Sequence, residues 1–84
     1  MTSVAPERVS TVLERRPLNL LIDDFIHTGK MIDGLRAAHD SNLVAEYIMV
    51  RGWIMDELEA RNQDAYEAWL MSSDNTDESI RKYY

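Results

Sequence analysis

The chain contains no cysteine. Disulfide staples and thiolate metal sites are therefore excluded, and the absence is compatible with a reducing compartment. Basic residues are also scarce, with nine Lys and Arg against fifteen Asp and Glu and a net charge of −6. An acidic surface repels phosphate backbones, so nucleic acid is not an expected partner. No apolar run is long enough for a bilayer. The most apolar stretch, Leu43–Leu58, is interrupted by Glu46, Arg51, Asp56 and Glu57, which argues against a membrane span. The first residues, Met1–Arg8, lack the apolar stretch of a secretory signal. A cytoplasmic location is the expectation. No internal repeat or low-complexity tract is present.

What remains is one domain of 84 residues with 45% hydrophobic content. That is enough for a globular fold. A chain this short buries only about 60–65% of the surface it exposes when unfolded. With no covalent staple available, oligomerisation is the natural further source of stability.

The spacing of apolar residues predicts an all-α protein. A short N-terminal helix is expected within residues 1–16, with Val9, Val12 and Leu13 on a narrow stripe. Pro6 and Glu7 suit its first turn. Pro17 breaks the chain and starts a second helix that runs to about Ala38. Its seam is Leu18, Leu21, Phe25, Thr28, Ile32 and Leu35, widened by Ile22. Gly29 and Gly34 mark either a loosened helix or a close helix–helix contact. His39-Asp40-Ser41-Asn42 reads as a turn, because these side chains favour turns and N-caps. Leu43 to about Arg61 is the third helix, and the short connection makes the two an antiparallel hairpin. Arg61–Asp64 reads as a kink or a cap, and Asp64 and Glu67 have the spacing of a capping box; the segment that follows, to Met71, either continues the third helix or folds back as a short fourth one. Residues 17–71 are thus the hairpin core. Residues 72–84 read as an acidic linker and a marginal tail, which Thr76 can cap and which Asp77–Arg81 and Glu78–Lys82 pairs can support.

The third helix has more apolar surface than one hairpin partner can cover. Tyr47, Met49, Val50, Trp53 and Ile54 are the candidate contact residues. Two hairpins meeting through them would make a four-helix core. The leading reading is a non-enzymatic protein-interaction module, an adaptor or an inhibitor. It would bind itself, another protein, or both. The alternative is an acidic nucleic-acid mimic that binds a DNA-binding protein. Residues 46–84 carry −5 of the net charge, and Asp56, Glu59, Gln63 and Glu67 fall along one edge of a continuous helix.

Chemistry is poorly represented. His27 follows Asp23 and Asp24 at helical spacing, but a carboxylate–histidine metal site needs more ligands than one helix offers. His39, Asp40 and Ser41 are adjacent in sequence, which is not triad geometry. Arg8, Arg15 and Arg16 lack interleaved aromatics and do not make a phosphate-binding surface. No enzymatic activity, cofactor, metal or small-molecule substrate is expected.

The stretch Met55–Leu70, MDELEARNQDAYEAWL, resembles a segment of small acidic proteins from actinobacteria and their phages. The resemblance covers about a fifth of the chain, and no site residue carries over from it. It implies a small phage-type accessory protein.

Overall fold

A computed structural model describes residues 6–84. Among them are four α-helices, one 3-10 helix and no strand. The helices are α1 (Glu7–Arg15), α2 (Leu18–Ala37), α3 (Ser41–Arg61) and α4 (Gln63–Met71), followed by a 3-10 helix at Glu78–Lys82. The all-α class follows the apolar spacing.

The seam expected on α2 is the one that is buried. Leu21, Ile22, Phe25, Thr28 and Ile32 are enclosed, while Leu18 and Leu35 are half-buried. α2 packs mainly against α3. Every helical element contributes to one core: Leu13 from α1, Phe25 among others from α2, Ile54 and Leu58 from α3, Tyr66 and Trp69 from α4, and Ile80 from the 3-10 helix.

The three-residue connection Ala38–Asp40 closes both helix ends. Asp40 N donates to Leu35 O at 3.0 Å and His39 N to Arg36 O at 3.1 Å, the two bonds of a Schellman motif. That motif needs a left-handed residue, and His39 supplies it with φ of 60°. The Asp40 carboxylate then accepts from Leu43 N and starts α3.

Two expected features are placed differently. The start of α4 is capped by Asn62, whose Oδ1 accepts from Ala65 N at 3.0 Å, and not by Asp64. Asn62 is extended, with φ −157° and ψ 90°, so α3 and α4 are separate helices. Residues 72–84 are also more than a linker and marginal tail. Trp69 Nε1 donates to Thr76 O at 2.8 Å, and Ser79 Oγ donates to Asp74 O at 2.6 Å. Ile80 is completely buried. Thr76 does cap the last turn, accepting from Ser79 N.

Four arginines tie the elements together. Arg16 pairs with Asp24, joining α1 to α2. Arg61 pairs with Glu57 at 2.8 Å, as the i,i+4 spacing implies. Its Nη2 also donates to Leu13 O and Arg16 O, both at 2.6 Å. Carbonyls at the C-terminus of α1 thus meet a positive charge on α3. Arg51 and Arg81 hold the C-terminal segment through Asp77 and Asp23. The expected local pairs Asp77–Arg81 and Glu78–Lys82 give way to these longer-range ones, and Lys82 approaches Asp74 instead.

The glycines separate by environment. A Cβ on Gly29 would collide with the Asp77 carboxylate and stand 3.2 Å from Arg51 Nη1. Its close contact is with the C-terminal segment. Around Gly34 and Gly52 there is nothing within 4 Å. Gly34→Ala and Gly52→Ala should each stabilise by about 0.5–1 kcal/mol through helix propensity alone. Gly29→Ala should instead destabilise by about 1–2 kcal/mol, because overpacking outweighs propensity. Urea midpoints of the three variants check this, and equal gains for all three would sink the assignment of Gly29.

Candidate functional site

From Asp33 through Trp53 no residue is buried. This run is the tip: the end of α2, the connection and the first half of α3. The second half of α3 behaves differently, with Ile54 and Leu58 enclosed. The reason is coverage, since α1 and α4 as well as α2 pack against α3, and their core residues share one cluster with Ile54 and Leu58. The tip is nevertheless rich in large apolar side chains. Leu43, Ile48, Met49 and Val50 are 40, 47, 44 and 37% exposed. Val44 and Tyr47 are half-buried. At 100° per residue, Ile48, Met49 and Val50 point to three sides of α3, so one helix neighbour cannot cover them all.

The candidate contact residues divide accordingly. Met49 and Val50 are exposed, and Tyr47 is half-buried. Ile54 is 3% exposed and belongs to the core. It lies four residues before Leu58 on the stripe that meets α2, so it offers no contact surface. Trp53 is half-buried and packs on the edge of the core. Its Nε1 is enclosed without a hydrogen-bond partner, the one such side-chain atom among the described residues. An enclosed indole N–H of this kind is uncommon, since buried donors are ordinarily bonded.

Arg51 is the polar centre at the base of the tip. It interrupts the apolar stripe of α3 because it reaches across α2. Nη1 donates to Phe25 O at 3.1 Å and to Thr28 Oγ1 at 3.3 Å. Nη2 donates to Asp77 Oδ1 at 2.6 Å. The guanidinium lies 4.1 Å from the Phe25 ring centroid, a cation–π contact. An open groove of about 750 Å³ runs past it, between the charged residues Lys30, Asp33 and Arg36 and the apolar Ile48 and Met55. Sequence spacing gave no sign of this arrangement, since Asp77 lies on a segment with no helical register to α3.

The acidic residues do not form the continuous edge expected of them. Asp56 and Glu59 are exposed on α3, while Glu67 is exposed on α4 beyond the break at Asn62. Gln63 Nε2 donates to Glu67 Oε1 within α4. Asp56 and Glu59 act on Tyr66: burial raises its phenol pKa most, and the two carboxylates add to the rise.

The titratable clusters are committed to structural partners. Asp23 pairs with Arg81 and Asp24 with Arg16, which leaves exposed His27 without a free carboxylate from that pair. Among the described residues, no three His, Cys, Asp or Glu side chains converge as metal ligands. His39 and Asp40 serve the turn. The arginine cluster Arg8, Arg15 and Arg16 is divided, because Arg16 is bonded to Asp24, which raises the guanidinium pKa. No helix among the described residues is long and apolar enough to cross a membrane. No protein-family model, curated protein or solved structure matches the chain.

Tyr84 supplies a pH dependence. Its hydroxyl donates to Leu58 O. Burial first, then Tyr66 and Glu59, push its pKa from 10.0 up to about 12. The folded state therefore holds the phenol proton more tightly than the unfolded chain does. This contribution is fully present below pH 10 and is lost as pH rises towards 12. Urea midpoints should fall over that window, and Tyr84→Phe should make the fall shallower. A Tyr84→Phe variant with an unchanged alkaline limb would contradict the assignment.

Proposed function

We propose that this chain is a small non-enzymatic protein-interaction module, an adaptor or an inhibitor, whose working surface is the tip. In this reading α2 and α3 form an antiparallel hairpin, and its uncovered end presents the contact residues. The observation that carries the reading is the burial pattern. The stretch Leu43 to Val50 holds six large apolar side chains, at Leu43, Val44, Tyr47, Ile48, Met49 and Val50, yet encloses none. Contiguous apolar surface on a small protein marks a binding site far more often than single exposed residues do. Met49 and Val50 remain contact residues, Ile48 and Leu43 join them, and Ile54 is withdrawn.

The alternative is the acidic mimic, supported by the charge of −5 on residues 46–84. The break at Asn62 weakens it, since phosphate spacing along one helix is not reproduced. The test compares three baits: the natural chain, Leu43→Asp/Met49→Asp, and Asp56→Lys/Glu59→Lys. A protein held by the natural chain should be lost from the first variant and kept by the second. The reverse pattern, with release by moderate salt, would move function to the acidic surface.

A further inference from the structure

We infer that residues 72–84 are a strap that opens as one unit from a body formed by α1–α4, and that the slot it vacates takes a peptide segment of the strap's own chemistry: a carboxylate three residues before a branched aliphatic side chain. The strap is held as a bound peptide is held, by three kinds of contact. The Asp77 carboxylate lies against Gly29, where a Cβ would collide with it, and accepts from Arg51 Nη2 at 2.6 Å. Ile80 is fully buried in the cluster that holds Phe25, Leu58 and Trp69. The Trp69 indole N–H takes hold of the strap's backbone, donating to Thr76 O at 2.8 Å. Charge, shape and a backbone carbonyl are thus met by α2, α3 and α4 together.

The body holds nearly all of the core without the strap. Eight of the nine enclosed residues of the core cluster lie on α1–α4, and Ile80 alone comes from the strap, with Tyr83 and Tyr84 half-buried beside it. Arg51 keeps Phe25 O and Thr28 Oγ1 as acceptors on α2. The Trp69 N–H is the group that loses its partners, since Thr76 O and Ser79 Oγ are both on the strap. Ser72–Asn75, a largely exposed link without helix or strand, joins the strap to α4. A segment with one enclosed apolar anchor and such a link opens at a lower free energy than the whole molecule.

Opening turns Arg51 Nη2, the Trp69 N–H and the place of Ile80 towards solvent together. It also takes Asp77 and Glu78 out of the groove beside Ile48 and Arg36. The short link keeps the strap at a high local concentration over its slot, so a free segment competes well only when the strap's own contacts are weakened.

Hydrogen exchange of the natural chain, read by NMR, tests the opening. The amides of Ile80 and Tyr83 bond within the strap, to Asp77 O and Ile80 O. They and the Trp69 indole N–H should share one opening constant, at least about tenfold larger than that of the Phe25 and Leu58 amides. Fraying from the end would rank them instead, with Tyr83 fastest and the indole as slow as the core. That ranking, or exchange of all three only together with Leu58, would overturn the strap. A labelled peptide of residues 74–84, followed by fluorescence anisotropy against the full chain, tests the slot. Ile80→Ala and Asp77→Asn each weaken the strap's own hold, so each variant chain should bind the peptide about tenfold more tightly than the natural chain does. The same peptide carrying Ile80→Ala should bind neither variant. Equal binding to all three chains, binding indifferent to the peptide's isoleucine, or no binding to either variant would overturn the slot. Asp77→Asn leaves Ile80 in the core, so it decides the outcome if Ile80→Ala does not fold.

Discussion

Replacing Arg51 with methionine should destabilise the chain by about 2–3 kcal/mol, because the hydrogen bonds of its charged guanidinium are lost together. Methionine keeps the length of the stem but donates nothing. Phe25 O and Thr28 Oγ1 lose a donor, and Asp77 is left as an unpaired carboxylate against Gly29. The ion pair is about three-quarters covered, with side-chain exposures of 21 and 25%. Solvent screening is therefore incomplete, and the loss exceeds that of a surface pair. For a chain of this size the melting temperature should drop by roughly 10–20 °C. Arg81→Met is the matched control. The Arg81–Asp23 pair is about half exposed, at 47 and 53%, and its loss should shift the urea midpoint only slightly. Equal effects of the two substitutions would remove Arg51 from its central place.

The second large effect is expected at Ile80. Truncation to alanine should cost about 3 kcal/mol, the usual range for a large aliphatic side chain in a packed core. Total stability for a chain of this length is roughly 4–12 kcal/mol, so this one change removes a substantial share. Ile80 is fully buried and belongs to the cluster that holds Phe25, Leu58 and Trp69. Its loss should also loosen the segment that caps the Trp69 indole at Thr76 O. Trp69 fluorescence should then shift to the red before global unfolding. A marginal tail would predict almost no change in either observable.

Where the sequence could be read, the reason is periodicity. The α2 seam was legible because Leu21, Phe25, Thr28 and Ile32 recur at helical spacing with few competing apolar positions. The third helix was legible as a helix and poorly legible by face, because apolar residues surround it. Tyr47 and Ile54 share one stripe, yet only Ile54 is enclosed. The difference is which half of α3 the other elements reach, and that is tertiary information. Ile80 was hidden for the opposite reason. One isoleucine in a polar stretch has no periodicity to reveal it.

Long-range polar contacts were not legible either. Arg51 looked like an interruption of an apolar stripe, and its partner Asp77 looked like half of a local helical pair. The break was legible as a kink or a cap within Arg61–Asp64, but the residue that makes it, Asn62 by capping α4, was not. The acidic edge fell with it. The surplus of apolar residues on the third helix was legible, because composition and spacing reveal it; which part of the helix leaves that surplus uncovered was not.

The uneven burial along α2 and α3 also divides the chain by local stability. Amide hydrogens near Leu21, Phe25 and Leu58 sit where every helical element contributes to the core, so they should exchange only through global unfolding. Amides between Asp33 and Val50 have no enclosed side chains behind them and should exchange by fraying from the connection inwards. Anything that seats on the tip then adds its binding free energy to the weakest-held part of the molecule. Protection of those amides would rise with occupancy while the core amides stayed nearly unchanged. In such a chain the most strongly held residues and the residues proposed to meet a partner are different sets, carried by opposite ends of the same two helices.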